Sequence, residues 1–137
     1  MSFLLDTSFL YAFLNRKEQN HERVLAIAQT IHEPVILPVP AITEVAYLLL
    51  RDVNSDAVAN FIASLATTDF VLESPQTEDY TRASEVIRRY GDGHVDFVDA
   101  IIVAMAERLS ITRILILDVR HFAVFRPSHC EAFELLP

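Results

Sequence analysis

The sequence predicts an α/β fold in three layers: a parallel sheet of roughly five strands covered by helices on both faces. Three observations predict it. The short strand-like runs are continuously apolar rather than alternating, as strands buried on both sides are. They alternate along the chain with longer segments whose apolar residues recur at helical spacing. The chain of 137 residues is 52% hydrophobic with two glycines, a composition able to bury the core of one domain spanning residues 1–137.

Residues 2–5 read as a short apolar strand, ended by Asp6. Thr7 or Ser8 caps a helix through about Arg16. Val24, Leu25, Ala28 and Ile31 make a helix of residues 21–31. Residues 34–38 form a strand between two prolines, and Pro40 opens a helix through about Arg51. A helix over 55–66, a strand over 70–72 and an amphipathic helix over 77–90 follow. Tyr90-Gly-Asp-Gly-His94 is the one glycine-marked loop. A strongly apolar helix covers 95–109, a buried strand 113–117 ends at Asp118, His121-Phe122 make a turn, and 133–136 form a last strand.

Composition narrows the function classes. No apolar run is long enough to span a membrane, and no basic-then-apolar leader opens the chain. One cysteine, Cys130, allows neither an internal disulfide nor a cysteine-rich zinc site, so a reducing cytoplasm is the expected compartment. The net charge of −8 argues against bulk, salt-driven nucleic-acid binding. Ten arginines against one lysine, Lys17, give weak support to bidentate phosphate contacts.

The acids carry more information. Ligands of open α/β sheets bind at the carboxyl ends of the strands. Asp6 and Asp118 each follow a strand directly, although each singly fits as a cap of the next helix. Asp99 falls on the helical face of Val95, Ile102, Val103 and Ala106, where an ionised carboxylate is costly unless a partner or metal offsets it. It lies about one turn inside the expected helix, which weakens a purely dipolar explanation. Asp96, at i,i+3 from Asp99, repels it unless a helix start or a cation accommodates both. Glu44, taken alone, is an ordinary surface acid near a helix start. As a set, Asp6, Glu44, Asp99 and Asp118 would take up protons unless cations compensate. Hard divalent ions, magnesium or manganese, suit such oxygen donors. Two of them suit phosphodiester hydrolysis by an activated water, without a covalent nucleophile. His21, His32, His94, His121 and His129 are scattered and read as surface or turn residues.

The same residues resemble the motifs of PIN-domain ribonucleases, in particular the VapC-like toxins of type II toxin–antitoxin systems. Phe3-Leu-Leu-Asp-Thr-Ser8 looks like their opening strand and Asp-Thr-Ser motif. Ile42-Thr-Glu-Val-Ala46 looks like the second motif, Asp96-Phe-Val-Asp-Ala-Ile-Ile-Val-Ala-Met-Ala106 the third, and Leu115-Ile-Leu-Asp118 with Arg120-His-Phe122 the fourth. Ile116 departs from the pattern, since relatives often carry Thr or Ser there. The resemblance implies about five parallel strands, magnesium-dependent RNA cleavage with manganese able to substitute, a homodimer, and neutralisation by a cognate antitoxin. It assigns Asp6 and Asp99 as main metal ligands, Glu44 to positioning metal or water, and Asp118 to completing the cluster. Asp96 and Ser8 are auxiliary.

Rival readings are set apart by sequence. A haloacid-type phosphatase wants a second Asp where Ser8 stands, and a receiver module wants a late lysine that the chain lacks. A non-catalytic PIN-like module binding RNA or protein, and a housekeeping nuclease outside any toxin pair, both keep the same four acids.

Overall fold

The computed structural model describes all residues, 1–137. Its sheet has five strands: β1 (Phe3–Leu5), β2 (Val35–Pro38), β3 (Val71–Glu73), β4 (Arg113–Leu115) and β5 (Glu134–Leu136). All neighbours pair in parallel, in the order β3-β2-β1-β4-β5. Between them run α1 (Thr7–Leu14), α2 (His21–Ala28), α3 (Val39–Asp52), α4 (Ser55–Ser64), α5 (Thr77–Tyr90), α6 (Phe97–Leu109) and α7 (Val119–Ala123).

The strand order explains the layers. From β1 the chain steps outward to β2 and β3, then returns across the sheet to β4 and β5. Right-handed crossovers therefore put α1–α4 on one face and α5–α7 on the other. The helix contacts agree, with α1 against α2 and α3, α3 against α4, and α5 along α6. The reversal falls between β1 and β4, where Leu5 sits opposite Leu115. A crevice opens at such a switch point, outside the carboxyl ends of the two strands.

The core holds β1 whole, Ile114 and Leu115 of β4, and eight residues of α6 from Val98 to Ala106. A helix buried nearly all round must supply its polar residues at its ends. In α6 they are Asp99 in the first turn and Glu107 and Arg108 in the last.

Several boundaries differ from the sequence reading. Helix α1 ends at Leu14, not Arg16, because Asn15 is extended and its side chain accepts the Lys17 N–H at 3.0 Å. Helix α2 stops at Ala28 and turns, with Thr30 bonding back to the Ile27 carbonyl at 2.7 Å. Strand β4 ends at Leu115, although Ile116 is equally buried. The turn expected at His121-Phe122 is the five-residue helix α7. Helix α6 begins at Phe97 rather than Val95, which changes the meaning of its two acids. The left-handed residue of the 90–94 loop is His94, at φ 62°, and neither glycine has positive φ.

Candidate active site

A cleft of about 260 Å³ lies at the switch point. Asp6, Thr7 and Ser8 line it from the end of β1 and the start of α1, and Glu44 and Leu48 from α3. Asp96 and Asp99 reach it from the start of α6, and Ile116, Asp118, His121 and Phe122 from the β4–α7 segment. His94 completes the lining. The cleft thus gathers all four acids expected at the site, with the auxiliary Asp96 and Ser8.

Each acid is held by a local device. Asp6 is the N-cap of α1, the role that the sequence left open among Asp6, Thr7 and Ser8. Its Oδ2 accepts the Ser8 backbone N–H at 3.0 Å and the Ser8 hydroxyl at 2.6 Å. The Ser8 Oγ in turn accepts the Leu117 N–H at 3.0 Å, tying β4's exit to β1's exit. The Asp6 backbone N–H donates to the Leu115 carbonyl at 2.9 Å. Burial pushes the Asp6 carboxyl up to about 6, against the pull of the Ser8 bonds, and the charge of Glu44 adds to the rise.

Asp96 and Asp99 form a reciprocal capping box. The Asp99 N–H donates to Asp96 Oδ1 at 2.9 Å, and the Asp96 N–H donates to Asp99 Oδ2 at 3.3 Å. Asp99 is therefore the third residue of α6, not a turn deeper, and dipolar stabilisation applies to it more fully than expected. Even so, its carboxyl is pushed up to about 7, first by burial and then by the charges of Asp96 and Asp6. The cap does not neutralise the crowding.

Glu44 is half-buried on α3, one helical turn from Leu48. Asp118 is the most open of the four, its side chain 47% exposed, with Oδ2 3.4 Å from His121 Nδ1. It makes no cap bond to α7. Ile116, which departs from the family pattern, is buried and offers the Asp118 loop no hydroxyl.

Two residues of the cleft were read from the sequence as ordinary turn or surface histidines, His94 and His121. The signal for His121 was its place three residues after Asp118, and for His94 its place two residues before Asp96. Thr7 was also missed as a site residue. Its Oγ1 is buried without a hydrogen-bond partner.

The donor set fits a hard divalent cation. It is all oxygen apart from the two histidines, it holds two carboxyls against their ordinary ionisation, and it includes an unpartnered buried hydroxyl. The side chains ring the cleft; no three of its Asp, Glu or His groups are already drawn together around one point.

The sequence profile of the PIN domain matches residues 3–125, nearly the whole chain and every acid of the cleft. The chain belongs to the PIN-domain family. It is 27% identical to Ribonuclease VapC26 of Mycobacterium tuberculosis over 134 residues, 98% of this chain and 99% of that protein. Its fold is similar to that of Mycobacterium tuberculosis VapC20, a sarcin–ricin loop cleaving toxin, at a TM-score of 0.81 and 21% identity. The match covers 87% of this PIN chain and 92% of that one. It is also similar to a chain of VapBC2 from Rickettsia felis, solved bound to a promoter DNA fragment. There the TM-score is 0.70 and the identity 11%, over the whole of both chains.

Proposed function

We propose that this PIN-domain protein is a magnesium-dependent ribonuclease, the toxin of a toxin–antitoxin pair. The observation that carries the reading is the convergence of Asp6, Glu44, Asp96, Asp99 and Asp118, from four separate stretches of chain, on one cleft at the sheet's switch point. The near-full-length similarity to a protein named as a ribonuclease supports RNA as the substrate.

Asp6 and Asp99 would hold the cation, since they carry the least favourable uncompensated charge. A bound divalent ion supplies activation of a water for attack on phosphorus and charge neutralisation at the leaving oxygen. Glu44 lines the same cleft and would help to position metal or water. Asp118 and Asp96 complete the negative rim, and Ser8 fixes the Asp6 carboxylate. Manganese would substitute for magnesium, because the donors are the same oxygens. A cognate antitoxin partner belongs to this reading, supported by the similarity to a VapBC2 chain; a homodimer belongs to it as an expectation from the family resemblance. A cytoplasmic site of action suits a nuclease directed at cellular RNA, and no helix is long and apolar enough to cross a membrane.

The test is RNA cleavage by the purified chain. Cleavage is expected with magnesium, lost with chelator and restored by excess metal. Asp99→Asn should abolish it while the metal-free thermal melt stays intact or rises, since Asn keeps an oxygen for the Asp96 N–H and removes one of the crowded charges. Wild-type cleavage by Asp99→Asn would overturn the site, and chelator-resistant cleavage would overturn the metal. A folded chain that binds RNA or protein but never cleaves would be the non-catalytic module.

A further inference from the structure

A second cleft, of about 350 Å³, opens beside the acidic one between α5 and the start of α6. It is lined by Tyr80, Ala83, Ser84, Ile87, Arg88 and Phe97. The Tyr80 and Phe97 rings are nearly parallel, 10° between planes and 6.4 Å between centroids. Tyr80 and Phe97 are 52% and 48% exposed, so both residues of the stacked pair stand partly in water. Arg88 is exposed on the same wall and forms no ion pair, unlike Arg82 and Arg108. Phe97 is the first residue of α6, and the residue before it, Asp96, already lines the acidic cleft. One helix end therefore serves both clefts.

Resting on the ribonuclease reading, we propose that Tyr80 and Phe97 form a stacking platform for an unpaired base of the RNA, with Arg88 contacting an adjacent phosphate. Single-stranded RNA is held this way, by bases on aromatic faces and cations on the backbone. A chain with net charge −8 has little general attraction for phosphate, so local stacking and single guanidinium contacts must carry the binding. A protein partner is less well served here. The platform is small and carries an unpaired cation, whereas Tyr47, Leu50 and Val53 on and beside α3, and Ile62 on α4, leave exposed apolar side chains elsewhere.

The chain has no tryptophan, so Phe97→Trp creates a unique reporter. In an Asp99→Asn background, which prevents turnover, a short single-stranded oligoribonucleotide should quench its emission saturably. Adding Tyr80→Leu should weaken binding about five-fold or more, the lower end of a lost base stack. Arg88→Gln should reduce the slope of log affinity against log salt by about 0.7, one phosphate contact. In cleavage assays Phe97→Leu should raise KM by about five-fold or more with kcat little changed, and Phe97→Tyr should restore it. Oligonucleotide binding seen by anisotropy with silent Trp emission overturns the platform, and leaves the nuclease reading intact if the wild-type chain cleaves. Emission that follows protein concentration without RNA overturns it in favour of a second copy on this face. A quench without wild-type cleavage keeps the platform and removes the nuclease reading.

Discussion

Ser8 shows how much one hydroxyl can organise. It donates to Asp6 and accepts from Leu117, so it joins the exits of the two strands that flank the switch point. Ser8→Ala leaves the Leu117 N–H unpaired and takes a favourable bond from a buried carboxylate. A loss of about 1–3 kcal/mol in denaturant unfolding is expected, the cost of stranding a buried polar group. It should also weaken magnesium binding, because Asp6 loses the contact that favours its charged form. Unchanged stability would mean that Ser8 is an incidental neighbour. Asp6 and Asp99 are each both a cap and a site acid, so the choice posed by the sequence between those two roles has no exclusive answer. A carboxylate can satisfy an N–H with one oxygen and still face a cleft.

At the scale of elements, the two ends of α6 have opposite tasks. Its start carries the crowded acids; its end carries Arg108, whose Nε donates to both oxygens of Asp79 at 3.1 and 2.9 Å. Asp79 is 1% exposed and caps α5 through the Gln76 N–H, so this pair fastens α5 to α6. Removing one partner of a buried pair strands the other charge. Arg108→Met should cost about 3–5 kcal/mol in unfolding free energy, and adding Asp79→Asn should recover much of it. Near-equal single and double variants would show that Asp79 keeps its charge solvated some other way. The cost would also reach the site, since α6 sets Asp96 and Asp99 while α5 supplies Tyr80. Element types were legible because continuous apolar runs and helical spacing are local. Element ends were less so: the early stop of α1 is decided by Asn15's side-chain turn, and the start of α6 by the Asp96–Asp99 box.

At the scale of the whole molecule, the site should make stability depend on pH in an unusual direction. In the unfolded chain Asp6 and Asp99 ionise near 3.8, whereas the folded chain keeps their protons until about 6 and about 7. Between those values the folded state binds more protons, so stability falls as pH rises through the window and levels off above it. Metal-free melts should therefore drop from about pH 5 to about pH 8, and Asp99→Asn should flatten the drop. Millimolar magnesium should restore the loss mainly at the upper end, where the ligands are ionised. A metal-free melting temperature that climbs across the same range would contradict the crowding. Below the window the sign reverses, because Asp52 is held down to about 2 by Arg51 and Tyr11, and its protonation removes those contacts.

Burial on both strand faces and helical spacing are written locally in residue type, so the layered α/β architecture and the order of its elements were legible in the residues alone, and four acids could be singled out as a set. The sequence also set which strand ends Asp6 and Asp118 would leave. Tertiary structure alone decided that β1 and β4 are neighbours, and so that residues more than a hundred positions apart share one cleft. It decided that His94, His121 and Thr7 stand in that cleft, and that Tyr80 meets Phe97. Closeness in sequence to Asp6, Asp96 and Asp118 is the one local mark on Thr7, His94 and His121, and Tyr80 carries none; their surroundings come from which distant segment packs opposite them. That is fixed by the crossover handedness and the sheet order, properties of the whole chain.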